Sequence, residues 1–295
     1  MGCCLLLFLA LPSQADLWIH SSQVKQGQSV LVSGLKYDFP GGSSSLSECS
    51  LKFQNKTYPF YRDIVNYALF KESNEQSGFQ YVARLASTPL TPLGKSTLTL
   101  RCPKGTQDFS IEVIDVDFPV QHITLSKSKS SLKATPKELA SISKALHTKT
   151  PYRLWSPKNK WSFPSSAPQS TAYGVRRTYN GVFAKNYFHK GLDFAAAEGT
   201  PVKAPAAGKV ILLGLEKGGF VIHGNCLAID HGQGIVTVYL HLSEILVAQG
   251  QMLEANQIIA KVGSTGISTG PHLHFGLYVN GLAIDPSPWL MQAQY

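Results

Sequence analysis

The sequence predicts a mainly β chain: an N-terminal β-sandwich and a C-terminal antiparallel β-sheet groove domain, joined by a basic linker with one short helix. Three observations carry this expectation. Residues 16 to about 120 fall into short runs of alternating apolar and polar side chains cut by Gly and Pro, as half-buried strands do. From Trp161 onward such runs return with many glycines, and helical periodicity is nearly absent. Between the two, apolar side chains recur at helical spacing only around residues 135–146. With 295 residues, 43% of them hydrophobic, the chain can bury one large core or two moderate ones, which excludes a disordered chain.

The elements follow in order. Met1 to Leu11 is an apolar stretch far too short to span a bilayer, and Ser13 and Ala15 occupy the two positions a signal peptidase reads. Residues 1–15 therefore read as a signal peptide cleaved before Asp16, leaving no transmembrane segment in the mature chain. In an oxidising compartment Cys49 and Cys102, each in a short alternating run, are expected to pair across the N-terminal domain. Cys226 lies in an apolar strand and reads as a small buried hydrophobe. Residues 16–125 form the sandwich, with strands at 29–34, 79–85 and 109–116 and a loop at 40–45.

Residues 126–151 form the linker. Pro136 suits a first helical turn, Glu138 sits near the positive end of the helix dipole, and Leu139, Ile142 and Leu146 recur on one face. Net charge is +9, and between Lys127 and Lys160 nine Lys/Arg face the single acid Glu138. In an exported protein such a stretch suits anionic envelope polymers, and nucleic acid is not the expected partner.

Residues 152–295 carry the chemistry. Phe188-His189-Lys190-Gly191-Leu192-Asp193 offers an imidazole and a carboxylate with a glycine between them, so a helix is disfavoured and the two converge from a loop entering a strand. Gly270-Pro271-His272-Leu273-His274-Phe275 places two imidazoles on one face of a strand. A hydrolytic zinc site draws three ligands from His and Asp/Glu and keeps a position for water. Spacing alone leaves open which of His272 and His274 binds. His241 adds a proton-handling group, and Arg176 and Arg177 are expected to line the groove and meet substrate carboxylates. The remaining histidines, His20, His122, His147, His223 and His231, lack partners at useful spacing and read as structural or exposed.

With their framing glycines, these strings resemble the lysostaphin-type (LytM-like) zinc metallopeptidases. The resemblance runs over about residues 152–291, through 199–205, 229–232, 262–266 and 279–281. It implies one zinc ion held by His189, Asp193 and His274, with His241 and His272 as the catalytic pair. It further implies a peptidoglycan substrate cut in its cross-links or stem peptides, and an immunoglobulin-like fold for the N-terminal domain, as in one branch of the family. The exported chain would then act in the periplasm or cell envelope. Two other readings are a non-catalytic relative that activates a separate cell-wall amidase by contact, and a wall-binding or adhesion module in which zinc is merely structural. The intact set of five site residues, and the presence of only Cys226 in this domain, speak against both.

Overall fold

Side chains that alternate between core and solvent shape the first half of the protein, as seen in a computed structural model that describes residues 15–64, 79–124, 131–157 and 159–291. The chain divides into two units between Val116 and Asp117. Of the expected signal peptide only Ala15 falls among the described residues; residues 1–14, Ser13 of the cleavage signal included, lie outside them.

Among the described residues ten strands make the first unit: β1 (Ala15–Ile19), β2 (Gln23–Lys25), β3 (Ser29–Phe39), β4 (Gly42–Ser45), β5 (Ser50–Phe53), β6 (Lys56–Pro59), β7 (Tyr61–Ile64), β8 (Phe79–Ala86), β9 (Gly94–Cys102) and β10 (Gly105–Ile114). They form two five-stranded sheets, β1-β3-β8-β7 with β4 on β3, and β2-β10-β9-β5-β6. Buried Val32, Leu51, Phe53, Tyr58, Leu85, Leu98, Leu100 and Ile111 fill the core. Cys49 and Cys102 are joined in a disulfide. Because Ser50 lies opposite Arg101, the bond ties neighbouring strands of one sheet and does not cross between sheets.

The second unit begins earlier than the expected boundary at 125. β11 (Val120–Ile123) pairs in parallel with β13 (Arg176–Tyr179), with β12 (Gln169–Thr171) between them in sequence and β14 (Val182–Phe183) returning on β13. The ladder between β11 and β13 ties residues 120–123 into the second unit. The helix α1 (Pro136–Leu146), expected in a linker, is also docked on this unit. Thr135 Oγ1 donates to the Gly219 carbonyl at 2.9 Å, and Lys137 Nζ to that of Gly218 at 3.0 Å. Its buried face differs from the predicted stripe: Leu139 is 57% exposed, whereas Glu138 and Ala145 are buried. Glu138 can be buried because backbone N–H groups of the unit meet its carboxylate.

The remaining strands are β15 (Leu192–Ala195), β16 (Pro201–Lys203), β17 (Gly208–Gly214), β18 (Asn225–Gly232), β19 (Ile235–Ile245), β20 (Met252–Leu253), β21 (Ile258–Val262), β22 (His272–Val279) and β23 (Leu282–Ile284), before a final turn of helix, α2 (Ser287–Met291). A ten-stranded sheet runs β12-β15-β22-β19-β18-β17-β20, with β16, β21 and β23 attached at its sides. Register places Asp193 opposite His274, Ala195 opposite His272, and Leu240 opposite His274. Gly191 makes the approach of β15 possible, since a Cβ there would stand 2.2 Å from the Phe275 carbonyl oxygen.

His231 belongs to this core. Its Nδ1–H donates to the Ala207 carbonyl at 2.8 Å, its Nε2 meets Thr237 Oγ1 at 2.8 Å, and its ring lies 4.6 Å from that of Trp161. Burial lowers its pKa to about 4, against the small upward pull of the Ala207 carbonyl. Unfolded His titrates near 6.5, so the unfolded chain gains this proton first as pH falls. The stability His231 contributes is therefore complete above pH 6.5 and is lost as pH falls from 6.5 to about 4, by up to about 3 kcal/mol. We expect His231→Asn, whose amide can still donate to Ala207, to lose Tm less steeply than the parent between pH 7 and 4.5 in calorimetry; parallel slopes would refute it.

Candidate metal centre

Three side chains from two stretches, His189 and Asp193 from one and His274 from the other, meet at one point. His189 lies in the loop before β15, fixed by its own N–H to the Val175 carbonyl (2.8 Å) and by its carbonyl, which accepts from Gly174 N (2.9 Å). Its Nδ1–H donates to the Ala172 carbonyl at 2.7 Å, which leaves a bare lone pair on Nε2. That lone pair faces Asp193 Oδ1 at 3.0 Å and His274 Nδ1 at 3.0 Å, and Asp193 Oδ1 and His274 Nδ1 are 2.9 Å apart. His189 Nε2 and Asp193 Oδ1 are then acceptor against acceptor, an arrangement that repels unless a proton or a cation joins them.

The donor set fits a divalent metal. Tetrahedral ligands about 2.0–2.1 Å from an ion stand roughly 3.3 Å apart, close to the separations of this triangle. Charge states agree as well, since metal ligation needs a carboxylate and neutral imidazoles. Burial would raise the Asp193 pKa, but the neighbouring His189 and His274 rings outweigh it and hold the group well below the usual carboxylate range. Burial lowers His274 to about 4 despite the opposing pull of Asp193. Among the described residues the cluster consists of these three, the ligand count of a site that keeps a position for water.

His241 and His272 stand beside the triangle. His272 Nδ1 donates to the Gly270 carbonyl at 2.8 Å, with Ser268 Oγ 3.2 Å away, and its Nε2 lies 3.9 Å from Asp193 Oδ1. His241 Nδ1 donates to the Thr265 carbonyl at 2.8 Å. Regular alternation would turn His241 away, because its neighbour Leu240 shares the face of His274. A left-handed backbone at His241, φ 63°, breaks that alternation, and its ring comes within 4.8 Å of His272 and 6.4 Å of His274. Burial first, then the neighbouring His272 and His274, lower the His241 pKa to about 3, so the ring is neutral near pH 7.

The two arginines separate. Arg177 reaches Asp193, its Nη2 3.8 Å from Oδ2, and is held by Gln121 Oε1 at 3.2 Å and the Tyr187 hydroxyl at 3.2 Å. Arg176 is committed elsewhere: it donates to the carbonyls of Tyr187 and Lys185 and lies over the Phe183 ring, pinning the 183–187 loop. Arg176 thus carries a structural task. The partners that sequence reading missed are the carbonyls of Ala172, Thr265 and Gly270 and the buried Ser268, which side-chain patterns do not encode.

Residues 187–286 match peptidase family M23. A segment of 98 residues is 47% identical to an uncharacterized metalloprotease of Haemophilus influenzae, covering 33% of this chain and 20% of that one. Over 97 residues the chain is 44% identical to the peptidoglycan DD-endopeptidase ShyB of Vibrio cholerae, covering 33% of this chain and 22% of that one. It thus spans about a fifth of the length of these relatives. A crystal structure of a candidate M23 peptidase from Pseudomonas aeruginosa aligns over 92% of this chain and 95% of its own, with 26% identity and a TM-score of 0.59.

If the triangle is the metal centre, Asp193→Asn and His274→Ala will each weaken binding of a divalent metal by more than about 100-fold, beyond the loss typical of outer partners. His241→Ala and His272→Ala will keep it within a few-fold. Competition against a chromophoric chelator reads both, and unchanged affinity in Asp193→Asn would reject the assignment.

Proposed function

The chain carries a peptidase family M23 domain, and from that premise we propose that it is a zinc-dependent endopeptidase cutting peptide bonds in the cross-links or stem peptides of bacterial peptidoglycan. The observation that carries the reading is the triangle of His189 Nε2, Asp193 Oδ1 and His274 Nδ1, three lone-pair donors within 3.0 Å of one another with two further imidazoles beside them. A zinc ion held there would supply Lewis acidity, polarising the scissile carbonyl and making water a competent nucleophile near neutral pH.

The protein's own groups divide the proton work. With their Nδ1–H bonds pinned on carbonyls, His241 and His272 each turn Nε2 away from those carbonyls, as the atom free to accept a proton. Such a ring can take a proton from the attacking water, and once charged it becomes a donor to the developing oxyanion or the leaving amine. Arg177 supports this chemistry indirectly, by keeping positive charge beside Asp193. The Cys49–Cys102 disulfide favours an oxidising compartment such as the cell envelope, where peptidoglycan lies. No helix among the described residues is long and apolar enough to cross a membrane.

Incubation of the zinc-loaded protein with peptidoglycan sacculi is expected to release muropeptides with new amine termini, and a chelator should abolish the release. His241→Ala should lose at least about 100-fold in rate while keeping its zinc, the scale of a lost acid–base group. Intact sacculi after treatment with fully metallated parent protein would rule out the hydrolase and leave a wall-binding role.

A further inference from the structure

Glu138 is fully buried although it is charged and lies far from the metal ligands in sequence. One oxygen closes the capping box of α1, with Oε2 accepting from Thr135 N at 3.3 Å. A cap needs no more than that. The other oxygen is spent outside the helix: Oε1 accepts from Ile222 N (3.0 Å), His223 N (2.8 Å) and His223 Nδ1 (2.6 Å). Burial alone would raise the pKa of this carboxyl, but the His223 and Ile222 donors bring it below its ordinary value, so it stays ionised.

The turn that Glu138 grips is the one that holds His241. The His223 carbonyl accepts from His241 N at 3.1 Å. Gly224, at φ +65°, lies so close to the next loop that a Cβ would stand 2.4 Å from Thr265 Oγ1. Gly266, at φ +70°, would in turn bring a Cβ within 2.4 Å of Gly224 N. Ile267 N also donates to the Ile222 carbonyl at 2.9 Å. The second loop supplies the Thr265 carbonyl that receives the ring proton of His241. Both hydrogen bonds that orient His241 therefore end on two loops pressed together, and Glu138 anchors the first of them from behind. The contacts of His189, Asp193 and His274 involve neither loop.

We propose that Glu138 is a positioning residue for His241, acting through the 222–224 turn to hold the left-handed backbone and the ring orientation of that histidine. The inference deepens the peptidase reading, and it rests on that reading only where activity is measured. The segment that looks like a linker would then complete the active site.

The test uses the full chain, zinc-loaded, with ¹⁵N-labelled histidine. In the parent, the Nδ1–H of His241 should give a slowly exchanging resonance in NMR spectra, assigned by its loss in His241→Ala. In Glu138→Ala we expect that resonance to vanish and kcat on sacculi to fall at least about tenfold, with KM and zinc affinity unchanged within twofold. Glu138→Gln, whose amide oxygen can still accept from the turn, should lie between and is read on its own should the alanine variant not fold. A folded variant that loses Tm but keeps the His241 resonance and kcat would reduce Glu138 to a helix cap and overturn the proposal. If the parent leaves sacculi uncut while the resonance still depends on Glu138, the peptidase reading fails and the positioning role stands.

Discussion

The second unit is organised around three polar atoms brought to one point. Two lone-pair acceptors, His189 Nε2 and Asp193 Oδ1, are held 3.0 Å apart, with His274 Nδ1 equally near. A protein keeps such a contact only where the surrounding backbone leaves the groups little freedom to part. Here the antiparallel register of β15 on β22 sets Asp193 opposite His274, and the missing Cβ of Gly191 lets the loop carrying His189 come in against Phe275. A larger residue at 191 would push on backbone, not on a flexible side-chain tip, so the geometry of the triangle and the packing of the sheet are one constraint.

Strands and the loop before β15 place these rings, and backbone carbonyls decide what each ring can do. His189, His241 and His272 all direct Nδ1 at a backbone carbonyl, of Ala172, Thr265 and Gly270 respectively. That choice fixes the tautomer and turns Nε2 away from the loop as a lone pair, which for His189 faces Asp193 and His274. His274 differs, since its own Nδ1 enters the triangle. Three tautomers are thus set by main-chain atoms, whose positions are far less sensitive to point substitution than side-chain partners are.

Local signals are legible in the sequence, and long-range register is not. His272 and His274 two apart, Gly191 breaking the His189–Asp193 stretch, and Pro136 with Glu138 at a helix start all depend on near neighbours, and the structure has them at the expected places. Spacing cannot choose between His272 and His274 as ligand, because that choice depends on which residue lies opposite Asp193 across a ladder. The left-handed backbone of His241 is invisible for a similar reason: no glycine or asparagine marks it, and it is held by loops distant in sequence. The face of α1 departs from its three-residue apolar stripe because a carboxylate satisfied by backbone N–H groups can be buried ahead of an exposed leucine. The start of the second unit at Asp117 likewise depends on the pairing of β11 with β13, which a linear reading of the strand pattern does not reveal.

Charge around the triangle also bears on the ion it suits. Asp193 is the single carboxylate in the cluster, and Arg177 stands 3.8 Å from its outer oxygen, so the formal charges of these neighbours cancel. Affinity for a cation must then come from imidazole lone pairs at matched distances more than from accumulated negative charge. Calcium and magnesium prefer oxygen ligands, usually with several carboxylates or waters. Two nitrogens and one oxygen in a small, buried, rigid set match a borderline ion that accepts four-coordination, which is the character of zinc. In the proposed reaction the same balance would favour hydrolysis, because a site without surplus negative charge would leave more of a bound ion's polarising power for the substrate.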